Sequence, residues 1–129
     1  YEIMPSLVGS EMCIKRQILH SNIFIGRDCV FNAYDIIEIG DYCAIGAGCK
    51  LISANHNIDN LEIPINLQGY TAKPIKLGPD CWLGYNVIIL PGVQLGRGCV
   101  VSAGAVVSKS FSDYSIIGGV PAKLISKRK

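Results

Sequence analysis

The chain has 129 residues, half of them apolar, with a formal net charge of +2 and a mean hydropathy of +0.35. That length fits one domain, which buries roughly two thirds of the surface an unfolded chain exposes. The composition excludes a nucleic-acid partner, because the only clearly basic cluster is Lys123 with Lys127-Arg128-Lys129 at the end. No apolar run approaches the roughly 18 to 20 residues of a membrane span.

No basic segment followed by an apolar stretch opens the chain, so nothing looks like a secretory signal, although the first residue is Tyr1 rather than Met. The expected location is cytoplasmic. Six cysteines would suit a disulfide framework or a metal site, but there is no C-x-x-C pair and there are only two histidines. No metal is expected.

In chain order, the first organised signals are the pairs Ile25-Gly26, Ile39-Gly40 and Ile45-Gly46, with the phase broken over residues 32 to 38. Residues 55 to 76 are polar and Pro-containing, and they read as a loop leaving the main body. A loop of about 20 residues in a compact domain is more often functional than filler, and this one begins at His56. From Leu77 onward an aliphatic residue returns at every sixth position: Leu77, Leu83, Ile89, Leu95, Val101, Val107.

A smaller residue stands two positions before each aliphatic, as in Cys43, Cys49, Cys81, Val87, Cys99 and Ala105. Residues two apart on a strand face the same side. Each hexad is therefore one short strand with two inward side chains and a corner, whereas an amphipathic helix needs a period of 3.6. Three sides make an 18-residue coil, so Leu77 should stack on Leu95, Leu83 on Val101, Ile89 on Val107 and Cys81 on Cys99. Cys29, Cys43, Cys49, Cys81 and Cys99 become small apolar core residues, while Cys13 has no place in the pattern. Gly78, Gly84 and Gly96 follow their aliphatics where a sharply turning chain gains from unusual φ and ψ.

Units that bury their faces on one another make a solenoid. The fold class expected is all-β, a parallel β-helix over residues 1–117 with an excursion loop at about 55–76 and a short basic C-terminal tail at 118–129.

The stretch Leu77-Gly-Pro-Asp-Cys-Trp-Leu-Gly-Tyr-Asn-Val-Ile-Ile-Leu-Pro-Gly-Val-Gln-Leu-Gly, then Ser102-Ala-Gly-Ala-Val-Val-Ser-Lys and Gly119-Val-Pro-Ala-Lys, closely resembles the hexapeptide-repeat O-acetyltransferases. The galactoside and maltose acetyltransferases are the nearest types. The resemblance covers residues 36 to 127 well and residues 1 to 35 only loosely. It implies a left-handed coil, contrary to the usual hand of parallel crossovers. It also implies homotrimers with active sites between chains, and acetyl-CoA as co-substrate.

The family's pattern places a catalytic base at His56, within Ser53-Ala-Asn-His-Asn. An imidazole with a pKa near neutrality suits removal of a hydroxyl proton. A backbone N–H at Tyr85 would meet the oxyanion, and Trp82 would line the pantetheine channel. The acetyl-CoA set implied is Trp82, Gly84, Tyr85, Ala103, Ser108, Lys109, Lys123 and Ser126. The last two are arginines in the galactoside type, and a lysine offers a point charge where an arginine offers a fork. Lys127 and Arg128 are the cations to which phosphate contacts could pass instead. Asn32 and Asp35 fall near the acceptor-binding segment. Asp59 reads as a turn residue rather than as the group orienting the imidazole, and His20 as structural or exposed.

The activity expected is O-acetylation of a sugar or polysaccharide hydroxyl by direct transfer in a ternary complex. Serine or amino-sugar acetylation on the same scaffold is the alternative, and a non-catalytic solenoid a distant one. Two histidines argue against a zinc-dependent γ-type carbonic anhydrase, which needs three as ligands.

Overall fold

The computed structural model describes residues 16–129; Cys13 lies outside them. Twelve of its strands wind into four coils, each coil laying one strand on each of three faces. The first coil is β1 (Gln17–Leu19), β2 (Phe24–Ile25) and β3 (Val30–Asn32), and the second is β4 (Ile37–Ile39), β5 (Ala44–Ile45) and β6 (Lys50–Ile52). A hairpin, β7 (Ala54–His56) with β8 (Tyr70–Ala72), then leaves the prism. The third coil is β9 (Ile75–Leu77), β10 (Trp82–Leu83) and β11 (Ile88–Ile89), and the fourth is β12 (Gln94–Leu95), β13 (Val100–Val101) and β14 (Val106–Val107).

The first face is the parallel sheet β1-β4-β9-β12, the third is β3-β6-β11-β14, and the second carries β2-β5-β10-β13 continued by β15 (Ser115–Gly119) and β16 (Ala122–Lys127). The registers match the hexad arithmetic: Leu77 pairs with Leu95, Leu83 with Val101 and Ile89 with Val107. All six side chains are buried, each contributing about 1.5–3 kcal/mol of apolar burial. Earlier coils depart from the spacing of 18. Gln17 pairs with Ile37 across the phase break, and Ile37 pairs with Ile75 across the excursion.

Cys29, Cys43, Cys49, Cys81 and Cys99 are buried free thiols. Each donates to a carbonyl on the next turn of the chain, for example Cys43 Sγ to Gly78 O at 3.2 Å and Cys81 Sγ to Gly96 O at 3.1 Å. Cys81 sits between Cys43 and Cys99. Its hydrogen bond with Cys43, then that with Cys99, then burial all push its thiol up, keeping it protonated.

The corner glycines work differently from the sequence expectation. Gly78, Gly84 and Gly96 are absent from the positive-φ residues, which fall two positions later, at Asp80 (φ 63°), Asn86 (φ 59°) and Gly98 (φ 69°). The first three are needed for close approach. A Cβ on Gly84 would stand 2.7 Å from the backbone N of Ala103, and one on Gly78 would stand 2.8 Å from the carbonyl carbon of Gly96.

Two expected boundaries also move. The hairpin begins at Ala54, and Ile75–Leu77 already belongs to the prism as β9. The C-terminal segment is no loose tail, because β16 pairs antiparallel with β15, Gly118 opposite Lys123 and Ile116 opposite Ser126. Its end is pinned where the first face meets the second: Arg128 Nη1 reaches Asp80 Oδ2 at 3.3 Å and Gly98 O at 3.1 Å. Lys127 Nζ donates to Ser112 Oγ at 2.7 Å and Asp113 O at 2.9 Å. These bonds hold both cations to their own chain, at a different edge from Lys109.

Candidate active site

The excursion departs after β6 and returns into β9, so it hangs on the edge between the third and first faces. Its two strands pair with Asn55 opposite Thr71 and His56 opposite Tyr70. The fold of the hairpin is local: Asn57 Nδ2 donates to Gln68 O at 3.1 Å, and Thr71 Oγ1 donates to Asn57 Oδ1 at 2.7 Å. Beyond it a single 3-10 turn, Ile65–Leu67, closes the loop.

His56 is exposed on the hairpin and lines a pocket of about 190 Å³ with Asn55, Asn57, Thr71, Lys73 and Pro91. The imidazole meets the Tyr70 ring edge to face, with centroids 6.3 Å apart. Asn32 and Asp35 lie at the same edge, where the phase break widens the corner beneath the hairpin root. Asp35 N donates to Ser53 Oγ at 3.0 Å, and Asn32 Oδ1 is buried without a partner among the described residues. Ser108 and Lys109 follow β14 on this edge, Lys109 Nζ lying 5.8 Å from the Phe111 ring centroid.

The other expected residues gather elsewhere. Gly84, Tyr85 and Ala103 form the corner between the second and third faces, and Trp82 stands outward on the second face, 57% exposed. Lys123 and Ser126 flank that face on β16. At this corner the N–H groups of Gly84 and Asn86 are bonded to Val101 O and Ala47 O, and the Tyr85 carbonyl accepts from Gly104 N at 2.8 Å. No partner for the Tyr85 N–H occurs among the described residues. The expected set therefore divides between two edges of the prism with the whole third face between them.

Asn55 and Asn57 flank His56 in the sequence, whereas Thr71, Lys73 and Pro91 were not expected around it. Pro91 comes from a distant hexad, and Thr71 and Lys73 become neighbours only once the hairpin pairs. His20 is exposed on the first face and bonds Glu38 at 2.8 Å. A larger groove of about 640 Å³ also lies on the first face, lined by Lys76, Gln94, Arg97 and Phe111 among others, away from His56. No group of His, Cys, Asp and Glu among the described residues could hold a metal ion, and no helix there is long and apolar enough to cross a membrane.

Residues 74–109 match the family model described as the hexapeptide repeat of succinyl-transferase. A Mycobacterium tuberculosis protein named as a probable acetyltransferase is 41% identical over 107 residues, covering 83% of this chain and 36% of its own length. A hexapeptide-repeat-containing acetyltransferase of Vibrio cholerae, solved with acetyl-CoA, superposes with a TM-score of 0.84 at 30% identity over 89% of this chain and 62% of its own.

The chain belongs to the hexapeptide-repeat acetyltransferase family.

A further member, the maltose O-acetyltransferase of Clostridium difficile 630, superposes with a TM-score of 0.76 at 29% identity over 89% of this chain and 68% of its own. These likenesses identify the coil as the left-handed parallel β-helix of the family. The chain spans about a third of the mycobacterial relative's length.

Proposed function

We propose that the protein transfers an acetyl group from acetyl-CoA to a hydroxyl of a sugar or polysaccharide, with His56 as general base. The observation that carries this reading is the position of His56. In a chain of this family, the imidazole lines a small polar pocket on a hydrogen-bonded hairpin, at the edge where the regular coil is interrupted. Such a base contributes typically about 10² to 10⁴ in rate.

In this mechanism the acceptor hydroxyl gives its proton to His56 as its oxygen attacks the thioester carbonyl. The carbonyl oxygen gains the negative charge, and the Tyr85 N–H, without a partner among the described residues, is the donor assigned to it. Collapse breaks the C–S bond, and the imidazolium returns its proton to the departing thiolate. Both substrates are present together, so no covalent enzyme intermediate is required.

Acetyl-CoA is assigned Trp82, Gly84, Tyr85, Ala103, Ser108, Lys109, Lys123 and Ser126, and the acceptor Asn32 and Asp35. Because these residues occupy two edges of one prism, the reading calls for a homotrimer in which the His56 edge of one chain faces the Tyr85 corner of the next. It also places the protein in the cytoplasm, where unpaired thiols stay reduced.

The test is a panel of acceptors offered with acetyl-CoA: maltose, a galactoside, a polysaccharide, serine, an amino sugar and chloramphenicol, followed by release of the CoA thiol. A sugar hydroxyl should be acetylated, and His56→Ala should lose transfer at an unchanged melting temperature. A mutant that acetylates normally would remove His56 from the role, and serine or amino-sugar acetylation would replace the acceptor class.

A further inference from the structure

The phase break and the excursion occupy the same edge on neighbouring turns, and Ser53 joins them. This fully buried residue donates through Oγ to Asn32 O at 2.6 Å and accepts from Asp35 N at 3.0 Å. Its N–H bonds the same Asn32 carbonyl at 3.0 Å, and its own carbonyl accepts from Lys73 N at 2.8 Å. The widened corner, the root of β7 and the strand returning from β8 are thereby held to one another.

The widened corner carries Tyr34, whose carbonyl accepts from the Arg16 side chain. The half-buried Tyr34 ring packs on Tyr70 with centroids 4.6 Å apart and planes at 53°. Tyr70 is paired directly across from His56, and its ring lies at 87° to the imidazole. Both separations fall in the range of favourable aromatic pairs, roughly 4.5–7 Å. An exposed imidazole without such a neighbour would sample several rotamers, and small misplacements of a reacting group cost up to about 10²-fold in rate.

We propose that Tyr70 is a positioning residue for His56, and that the two extra residues of the phase break serve to deliver Tyr34 behind it as a buttress. The inference rests on the reading of His56 as base, which it deepens by naming the side chains that orient the ring. The aromatic faces carry the effect, and the tyrosine hydroxyls are dispensable to it.

The experiment uses the full chain labelled with ¹³C and ¹⁵N in histidine, in a His20→Gln background so that His56 alone is observed. Tyr70→Ala should move the ring-current-shifted His56 C–H resonances, and Tyr34→Ala should move them in the same direction although Tyr34 is one ring removed from the imidazole. Tyr70→Phe should leave them near the parent. With whichever acceptor of the panel turns over, Tyr70→Ala should lower kcat by about 10-fold or more, with KM for acetyl-CoA within about twofold. Tyr70→Phe should restore the rate.

Unchanged His56 resonances in Tyr34→Ala would overturn the buttress, and a Tyr70→Phe variant as impaired as Tyr70→Ala would overturn the ring mechanism. The spectra need no acceptor, so they decide the stack even if His56→Ala shows that the base lies elsewhere.

Discussion

Gly84 and Ala103 meet so closely across successive coils that a methyl group on Gly84 would lie 2.7 Å from the Ala103 nitrogen. The obstacle is backbone, which cannot swing aside. Gly84→Ala should therefore cost about 1–3 kcal/mol or more through overpacking, read as a lower midpoint of thermal or urea unfolding. Gly104 is the converse case, with φ +76° and nothing among the described residues within 4 Å of the place a Cβ would take. Asn86 occupies the matching corner one coil earlier at φ 59°, so Gly104→Asn should stay within about 0.5 kcal/mol of the parent, since Asn tolerates this region. Equal losses in the two variants would refute the distinction.

The cysteine ladder should be inert in the folded protein. Hydrogen bonds with its cysteine neighbours and burial hold Cys81 protonated, whereas the hydrogen bond with Cys81 pulls Cys99 down to about 6 and that with Cys49 pulls Cys29 down to about 7. The inertness of the ladder therefore rests on burial, which keeps a reagent from the sulfurs. A thiol reagent should find the five buried cysteines unreactive under native conditions. All six cysteines of the sequence should react after denaturation without reductant, and a smaller number would reopen the disulfide or metal readings.

Arg128 combines a 3.3 Å ion pair to Asp80 with a guanidinium 5.9 Å from the Tyr114 ring centroid. Both partners of the ion pair are substantially exposed, so Arg128→Ala should cost under about 1 kcal/mol of global stability. Its local effect should be larger: amide exchange in β16 should accelerate, because the strand loses its anchor while β15 stays paired with β13. Exchange in β16 unaltered by the substitution would assign the anchoring to Lys127 alone.

The division of the expected residues between two edges makes a complementation test possible. His56→Ala and Trp82→Ala should each lose most acetyl transfer, one at each edge. Subunits mixed after unfolding and refolded together should regain activity, because some interfaces then pair an intact His56 edge with an intact Trp82 face. Mixtures that stay as inactive as their parents would place the whole site within one chain.

Much of the fold was legible because the prism is periodic. Leu77, Leu83, Ile89, Leu95, Val101 and Val107 announce their own stacking, since each side of a coil repeats the same demand for an inward aliphatic. Five cysteines could be assigned to the core by the same arithmetic. The glycine reading failed for an identifiable reason: the sequence shows where a side chain is missing, and close backbone approach and positive φ leave the same mark. The resemblance proposes His56, Tyr85 and Lys109 for the site, and the fold puts His56 and Lys109 at one edge and Tyr85 at another corner. Tyr34, Tyr70 and Lys73 were not legible, because their hexads are broken and no period locates them.

From residue order alone came the strand length, the inward positions, the three-sided coil and the existence of the excursion, all consequences of local spacing acting through burial. Only the tertiary structure decided that the excursion is an antiparallel hairpin placing Tyr70 beside His56, that the phase break lies beneath it with Tyr34, and that β16 doubles back onto β15. Those relationships join residues from non-repeating segments. They are selected by ring packing, by Ser53's shared hydrogen bonds and by unpaired strand edges, none of which follows from a six-residue rhythm.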